Sequence, residues 1–351
     1  MKRLWMVMAL LLAACSGQES PKPDEQSEAP VSAANAEETL AENLDIPWSI
    51  AIREGVLYIS ERNGAIVSVE SDTGKKERLP LRLKKTIYTG GEGGFLGLAL
   101  LPNTDLEAVA YHSYEENGAI RNRLIRLKKM EEAWVETDVL LEGIPGAPIH
   151  NGGRIKIGPD QKLYVTTGDA ATPQSAQDRA GLSGKILRLE LDGAIPDDNP
   201  FAGSPVYSYG HRNPQGLAWD EEGRLYATEH GQSAHDEINF IEPGSNYGWP
   251  DIQGSESKAG MEPPLFHTNG TTWAPSGMAY VNGKLYIATL RGEAVRVFDI
   301  QEKRASIFTE GLGRMRDVLI HEGFIYYITN NTDGRGTPKE GDDKLLRRKI
   351  E

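Results

Sequence analysis

From about Thr39 onward the chain alternates short apolar, β-branched or aromatic runs with Gly, Pro, Asn and Asp turns, and almost no stretch keeps a 3.6-residue period for three turns. This pattern predicts an all-β chain. One unit recurs six times within it, a turn carrying Gly or an acidic residue followed by a strand with Tyr at a fixed place: Tyr58, Tyr111, Tyr164, Tyr226, Tyr286 and Tyr326. Successive copies lie 40 to 62 residues apart, the spacing of propeller blades rather than of helical repeats. A shorter apolar strand precedes each copy, expected at 48–52, 97–101, 154–157, 216–219, 277–281 and 317–320. Six such hairpins closed in a ring predict a six-bladed β-propeller, an arrangement that leaves no long exposed sheet edge. Either 38–44 or 344–350 is expected to supply the closing strand.

In an antiparallel meander the loop before the first strand and the loop after the second lie at the same end. The turns at the opposite end (53–55, 158–161, 220–223, 281–283) carry little chemistry. The converging loops differ: they read GGEGG at 90–94, IHNGGR at 149–154, GHRNPQG at 210–216, WAPSG at 273–277 and GRMRD at 313–317. After the Tyr strands come Gly168-Asp169, EHGQ at 229–232 and LRG at 290–292. The chain is acidic, with 38 Lys+Arg against 51 Asp+Glu and a net charge of −13. Against that background, Arg212, Arg291, Arg314 and Arg316 gathered with His150 at one mouth predict an anionic ligand. The same net charge would repel a phosphate backbone, which excludes nucleic acid as the partner.

The N-terminus has its own grammar. Met1-Lys2-Arg3 and the apolar run 4–14 form a charged start and a hydrophobic stretch too short to span a bilayer, as in a secretory signal. The sequence LAAC at 12–15 resembles a bacterial lipobox, which predicts removal of 1–14 and acylation of Cys15. Each buried methylene contributes roughly 0.8 kcal/mol, so a multiply acylated Cys15 would hold the chain on a membrane. Residues 15–38, rich in Ser, Pro, Glu, Ala and Gln, then read as a flexible tether, and 39–351 as one domain outside the cytoplasm. Cys15 is the single cysteine, so no disulfide framework or thiolate metal site is available.

The loops resemble those of the soluble pyrroloquinoline-quinone (PQQ)-dependent sugar dehydrogenases, the aldose and glucose/sorbosone dehydrogenase family of six-bladed propellers. The similarity runs from about residue 43 to 330 through IPWSIAI, GGEGGFLGLAL, HNGGRIKIGPDQKLYVTTGD, GHRNPQGLAWD, EHGQSAHDEINFIEPGSNYGWP, WAPSGMAY and GRMRDV, in family order. It implies oxidation of the anomeric carbon of an aldose to its lactone with PQQ and Ca²⁺ as cofactors, electrons passing to an external acceptor. By the same resemblance His150 is the catalytic base, and Arg212 and Asn213 lie beside the quinone, Arg212 stabilising negative charge there. Arg314 and Arg316, which would point the same way from a strand, clamp the cofactor carboxylates, Arg291 lies against the cofactor and Trp273 lines the sugar cleft. The carbonyls of Gly231 and Gln232 match ligands of a calcium ion bridging to the cofactor, and Glu237 with Tyr247 match ligands of a second, structural ion.

Three positions depart from the family pattern: Gln232 stands where Pro is usual, Ile149 precedes the base where some relatives carry Asp, and Glu92 occupies a cofactor-side loop where some use Gln. Glu92 would set a negative charge beside a trianion, so it either faces away or weakens binding. Other readings of single residues stay open: His150 as a channel histidine, Arg212 as a staple between blades, Trp273 as core, and His230 with His235 as a zinc-like pair. For the whole chain, the alternatives are a non-catalytic propeller binding a saccharide or protein through the same cleft, and a calcium-dependent hydrolase. The absence of a GxSxG elbow and of a carboxylate-rich channel set stands against the hydrolase.

Overall fold

The computed structural model describes Met1 and residues 37–350; the rest of the signal segment, Cys15 and the tether up to residue 36 lie outside the described residues. Apart from one short 3₁₀ helix, Pro173–Gln177, every described element is a strand. After β1 (Glu38–Ala41) come β2 (Pro47–Arg53), β3 (Val56–Glu61), β4 (Ala65–Glu70) and β5 (Lys76–Arg82), then β6 (Phe95–Leu100), β7 (Glu107–Glu116), β8 (Ala119–Lys129) and β9 (Trp134–Pro145). The third and fourth groups are β10 (Ile155–Ile157), β11 (Leu163–Thr167), β12 (Lys185–Leu189) and β13 (Val206–Tyr209), and β14 (Pro214–Trp219), β15 (Leu225–Glu229), β16 (Glu237–Ile241) and β17 (Phe266–His267). Then follow β18 (Pro275–Val281), β19 (Lys284–Thr289), β20 (Ala294–Asp299) and β21 (Arg304–Glu310), and finally β22 (Met315–His321), β23 (Phe324–Thr329) and β24 (Leu345–Lys349).

Each group is an antiparallel meander paired in chain order. The first two are joined at their outer strands by a short parallel pairing of β5 with β9 at Leu81 and Arg82, giving one eight-stranded sheet beside four four-stranded ones. The closing strand was expected from either terminal segment, and both are used: β24 forms the third strand of the last meander and β1 adds to its outer edge. The first strands adjoin in the cyclic order β2, β6, β10, β14, β18, β22 and back to β2.

The sequence pattern explains this packing. The Tyr strands β11 and β15 are buried at every position, so they read as continuous apolar runs rather than alternations, as strands covered on both faces do. Five of the six apolar clusters of the core draw on two neighbouring meanders each, and the sixth joins the second and third and takes in Trp48 from the first. Tyr58 meets Trp134 of the next meander edge-on at 6.0 Å, and Tyr164 meets Trp219 of the next at 5.0 Å. Toward the axis, apolar packing gives way to close backbone approach. A Cβ at Gly97, Gly216 or Gly277, one each on β6, β14 and β18, would sit 2.1 Å from the Gly153 carbonyl oxygen, 2.4 Å from that of Ser276 and 1.7 Å from the Asp317 carboxylate.

The centre itself is tied by polar groups. Arg154 and Asp317 are fully buried and paired at 2.7 Å. Arg154 also donates to the Gln215 carbonyl (2.8 Å) and to Ser49 Oγ (3.1 Å) and stacks over Trp48 at 4.2 Å, while Asp317 accepts the Ile50 N–H at 2.9 Å. The Gln215 side chain in turn accepts from Arg316 (3.0 Å) and Ser276 (3.2 Å). One network thus reaches β2, β14, β18, β22 and the entrance to β10.

A second buried polar group sets an acid limit on the fold. On β7, fully buried His112 accepts a hydrogen bond at Nε2 from Arg123 (2.8 Å), and Arg123 pairs with Glu136 at 2.8 Å. Burial, then the adjacent guanidinium, push the imidazole down to about 4. The unfolded chain takes up this proton near its ordinary pKa of about 6.5, so stability is complete above that value and falls as pH drops from about 6.5 toward 4. The expected loss is roughly 2–3 kcal/mol across that window. Urea melts at pH 7 and 4.5 should show it, with a shallower pH slope in His112→Gln; an unchanged slope would refute the assignment.

Candidate active site

The loops before the first strands and after the Tyr strands meet around a cleft of about 470 Å³ whose walls include His150, Arg212, His230, Arg291 and Arg314. A smaller polar pocket adjoins it and shares Glu92, His230, Leu290 and Arg335; its own wall adds Arg316, Asp333 and Trp48 from the axial network. On the other side of His150 lies a groove of about 340 Å³ walled by Ile149, Ala171, Pro173, Trp249 and Pro250. The opposite turns contribute to none of the three.

His150 stands in the loop that enters β10, in the left-handed region at φ 59°. Its Nδ1 lies 2.7 Å from Asp169 Oδ1 at the exit of β11. A Cβ at Gly168 would lie 1.9 Å from the His150 carbonyl oxygen, so only glycine lets this exit lie against the loop of His150. Asp169 is fully buried and accepts further hydrogen bonds from the Ala171 N–H (2.9 Å) and Trp249 Nε1 (2.8 Å), while its own N–H donates to the Arg212 carbonyl at 2.8 Å. With both carboxylate oxygens accepting from N–H groups, Nδ1 of His150 takes the donor role, which leaves the free lone pair on Nε2. Asp169 lies in a converging loop and Trp249 in the NYGWP motif, but neither takes a role from the sequence alone.

The guanidiniums converge at different depths. Arg212 donates to the His230 carbonyl (3.2 Å) and lies over Trp249 at 5.4 Å. Arg314 pairs with Asp333 at 2.7 Å and donates to the Leu290 carbonyl at 3.3 Å. Arg316 does point to the same end as Arg314, but into the smaller pocket, held by the Asn330 side chain (2.8 and 3.1 Å) and 3.9 Å from Asp333. Burial pushes Arg316 down to about 9, against the pull of Asp333. Arg291 is exposed on the cleft wall. Nε of Arg212, Nε of Arg314 and Nε2 of His230 are buried without a hydrogen-bond partner. Unused donors of this kind, gathered at one cleft, suit a multidentate anion.

Glu92 does not face away. It lines both the cleft and the smaller pocket, accepts the His150 N–H at 2.9 Å and pairs with Arg335 at 2.9 Å. Burial pushes its carboxyl up, but the hydrogen bonds from Arg335 and His150 outweigh that and hold it at about 2. Arg335 and Asp333 belong to the loop after the sixth Tyr strand, which the converging-loop rule covers but the sequence reading did not follow. Asn213 is fully buried behind the cleft, its side-chain oxygen accepting the Gly152 N–H at 3.0 Å. Trp273 stacks on Phe266 at 5.5 Å beneath Arg296, and it is the adjacent Thr272 and Ala274 that reach the cleft.

Gly231 and Gln232 line the cleft, with the Gly231 N–H fixed by Asp236 at 2.9 Å. Glu237 and Tyr247 share a small pocket with Glu229, His230 and Gly231. The Tyr247 hydroxyl is engaged, donating to the Phe240 carbonyl at 2.6 Å and accepting the Glu242 N–H at 2.8 Å, and its ring stacks on His211 at 4.8 Å. Burial, then repulsion from Glu229, push the Glu237 carboxyl well above the usual range. Glu229 is engaged by His211 Nδ1 at 2.9 Å and by the Arg212 N–H, which leaves Glu237 as the carboxylate of this pocket available to a cation. Among the described residues no group of three or more His, Cys, Asp or Glu is disposed as a metal site, so any ion here would rely on carbonyl ligands. His235 lies beside His267 at 6.0 Å between ring centres, and His230 turns to the cleft, so the zinc-like pair does not form.

The glucose/sorbosone dehydrogenase family model matches residues 44–347. Among solved structures the chain is similar to the PQQ-bound aldose sugar dehydrogenase of Streptomyces coelicolor, 40% identical with a TM-score of 0.84 over 91% of this chain and 99% of that one. It is similar also to a putative oxidoreductase (glucose dehydrogenase) of Thermus thermophilus, 38% identical with a TM-score of 0.82 over 90% and 99% of the two chains. The aldose sugar dehydrogenase of Escherichia coli K12 is 29% identical over 348 residues, 85% of this chain and 90% of its own.

Proposed function

Because this chain belongs to the glucose/sorbosone dehydrogenase family, we propose that it oxidises the anomeric carbon of an aldose to a lactone, using PQQ and Ca²⁺ and passing electrons to an external acceptor. The reading includes a six-bladed propeller, supported by six meanders whose first strands adjoin in a ring. The observation that carries it is the His150–Asp169 dyad, set at the edge of a cleft where Nε of Arg212 and Nε of Arg314 are buried without a partner.

When bound, PQQ would supply the hydride acceptor. Asp169 keeps the proton on Nδ1 of His150, and Trp249 keeps Asp169 from turning away. Nε2 is then free to take the proton of a sugar hydroxyl placed in the cleft, the role of a general base. Arg212, recessed and stacked on Trp249, offers its unused Nε to negative charge beside the base. Arg291, Arg314 and Arg316 would hold cofactor carboxylates, and the Gly231 and Gln232 carbonyls, with Glu237 close by, would hold calcium.

Purified protein reconstituted with PQQ and Ca²⁺ should reduce a dye in the presence of aldoses; no cofactor-dependent reduction across a broad aldose panel would sink the proposal. Arg314→Ala should weaken PQQ binding about 10- to 100-fold, the loss typical of one hydrogen bond to a charged group, with the turnover of fully loaded enzyme little changed. Fluorescence titration of the apo-protein checks this, and a variant that binds PQQ normally but turns over slowly would reverse the roles assigned to the clamp and the base.

A further inference from the structure

Glu92 is out of character in this cleft, a carboxylate among cations gathered for an anion. Both of its oxygens are committed. Oε2 accepts the His150 N–H, and Oε1 meets Nη1 of Arg335, 243 positions along the chain, at 2.9 Å. The loop carrying Glu92 is fixed from behind: Arg62 donates to the carbonyls of Gly91 and Gly93 at 2.7 Å each, and the Glu92 N–H donates to the Pro148 carbonyl at 2.7 Å. Arg335 is oriented too. Its N–H donates to Asp333 Oδ1 at 2.8 Å, while Oδ2 of the same carboxylate pairs with Arg314 at 2.7 Å. Two ion pairs, Glu92 with Arg335 and Asp333 with Arg314, joined by the main-chain hydrogen bond of Arg335 to Asp333, therefore run across the mouth from the base to the clamp.

We propose that Glu92 and Arg335 work as one neutral unit, Arg335 being a positioning residue that cancels the charge of Glu92 so that a carboxylate can anchor the main chain of the base within a polyanion site. This rests on the reading of the cleft given above. An N–H anchored by a carboxylate is held more firmly than one anchored by an amide, which favours Glu over Gln under a base in the left-handed conformation. The drawback is repulsion of the ligand, and a cation paired with the same carboxylate removes it. Arg335 has no other evident reason to reach back from the last loop to the second meander's entrance.

A double-mutant cycle on ligand binding tests the unit. The measurement is fluorescence titration of apo-protein with PQQ and, separately, with trimesate, a plain aromatic tricarboxylate. Arg335→Ala should weaken binding about tenfold or more by uncovering the Glu92 charge, and Arg335→Lys should recover most of that loss. Glu92→Gln should bind about threefold or more tightly, and Glu92→Gln/Arg335→Ala should regain most of what Arg335→Ala loses. Binding by Arg335→Ala equal to wild type, or a loss as large in the double variant as in Arg335→Ala, overturns the proposal. Trimesate binding without PQQ binding removes the quinone reading and leaves the cycle readable on trimesate. Wild-type protein that binds neither overturns both.

Discussion

His150→Ala should lower sugar-dependent dye reduction by about 10²- to 10⁴-fold while leaving the PQQ titration of the protein in place, since a positioned base typically contributes that much and His150 anchors none of the guanidiniums. Asp169→Asn should fall between that variant and wild type. The amide keeps the shape, and its oxygen at the Oδ2 position can still receive the Trp249 N–H, but its NH2 then stands at the Oδ1 position, where it loses the Ala171 N–H and offers its own N–H to Nδ1, placing the imidazole in the wrong tautomer. Steady-state turnover on loaded enzyme, with cofactor occupancy measured in the same sample, separates the base from the binding residues. Turnover of His150→Ala within tenfold of wild type would remove His150 from the chemistry, and a parallel loss of PQQ occupancy would recast it as a binding residue.

The second large effect concerns the fold. Asp317→Asn should destabilise the protein by about 3–5 kcal/mol, because it leaves the fully buried Arg154 guanidinium without its counter-charge at the point where several first strands are tied together. The cost comes from stranding a charge rather than from losing a contact, so Arg154→Met/Asp317→Leu should recover part of it despite removing more hydrogen bonds. Chemical denaturation of the three proteins measures the order. If the double variant proves less stable than Asp317→Asn, the network contributes through its geometry and not through charge balance.

How far these features could be read beforehand depends on which interactions produce them. The six Tyr strands and their leading strands are local apolar patterns between strong turn formers, and the observed first strands overlap each expected range. Glycine at the same place in β6, β14 and β18 was visible as a repeat, but its reason, a neighbouring strand within about 2 Å of where a side chain would begin, belongs to the ring and not to any one segment. The site divides in the same way. His150, Arg212, Arg314 and Arg316 stand out because cations and imidazole are scarce in an acidic chain and recur in converging loops. Asp169, Asp333 and Arg335 are ordinary loop residues until the fold brings them to those cations. Glu92 shows the limit most clearly: its sequence position forced a choice between facing away and weakening the ligand, and pairing with a residue from the far end of the chain supplies a third outcome.

The knot on the axis also decides traffic. Arg154 and Asp317 occupy the middle of the ring with fully buried side chains, and the cleft opens at the end where the converging loops lie. On the function proposed above, sugar and product would share that mouth with the electron acceptor, and an acceptor protein too large to enter would have to collect its electrons there.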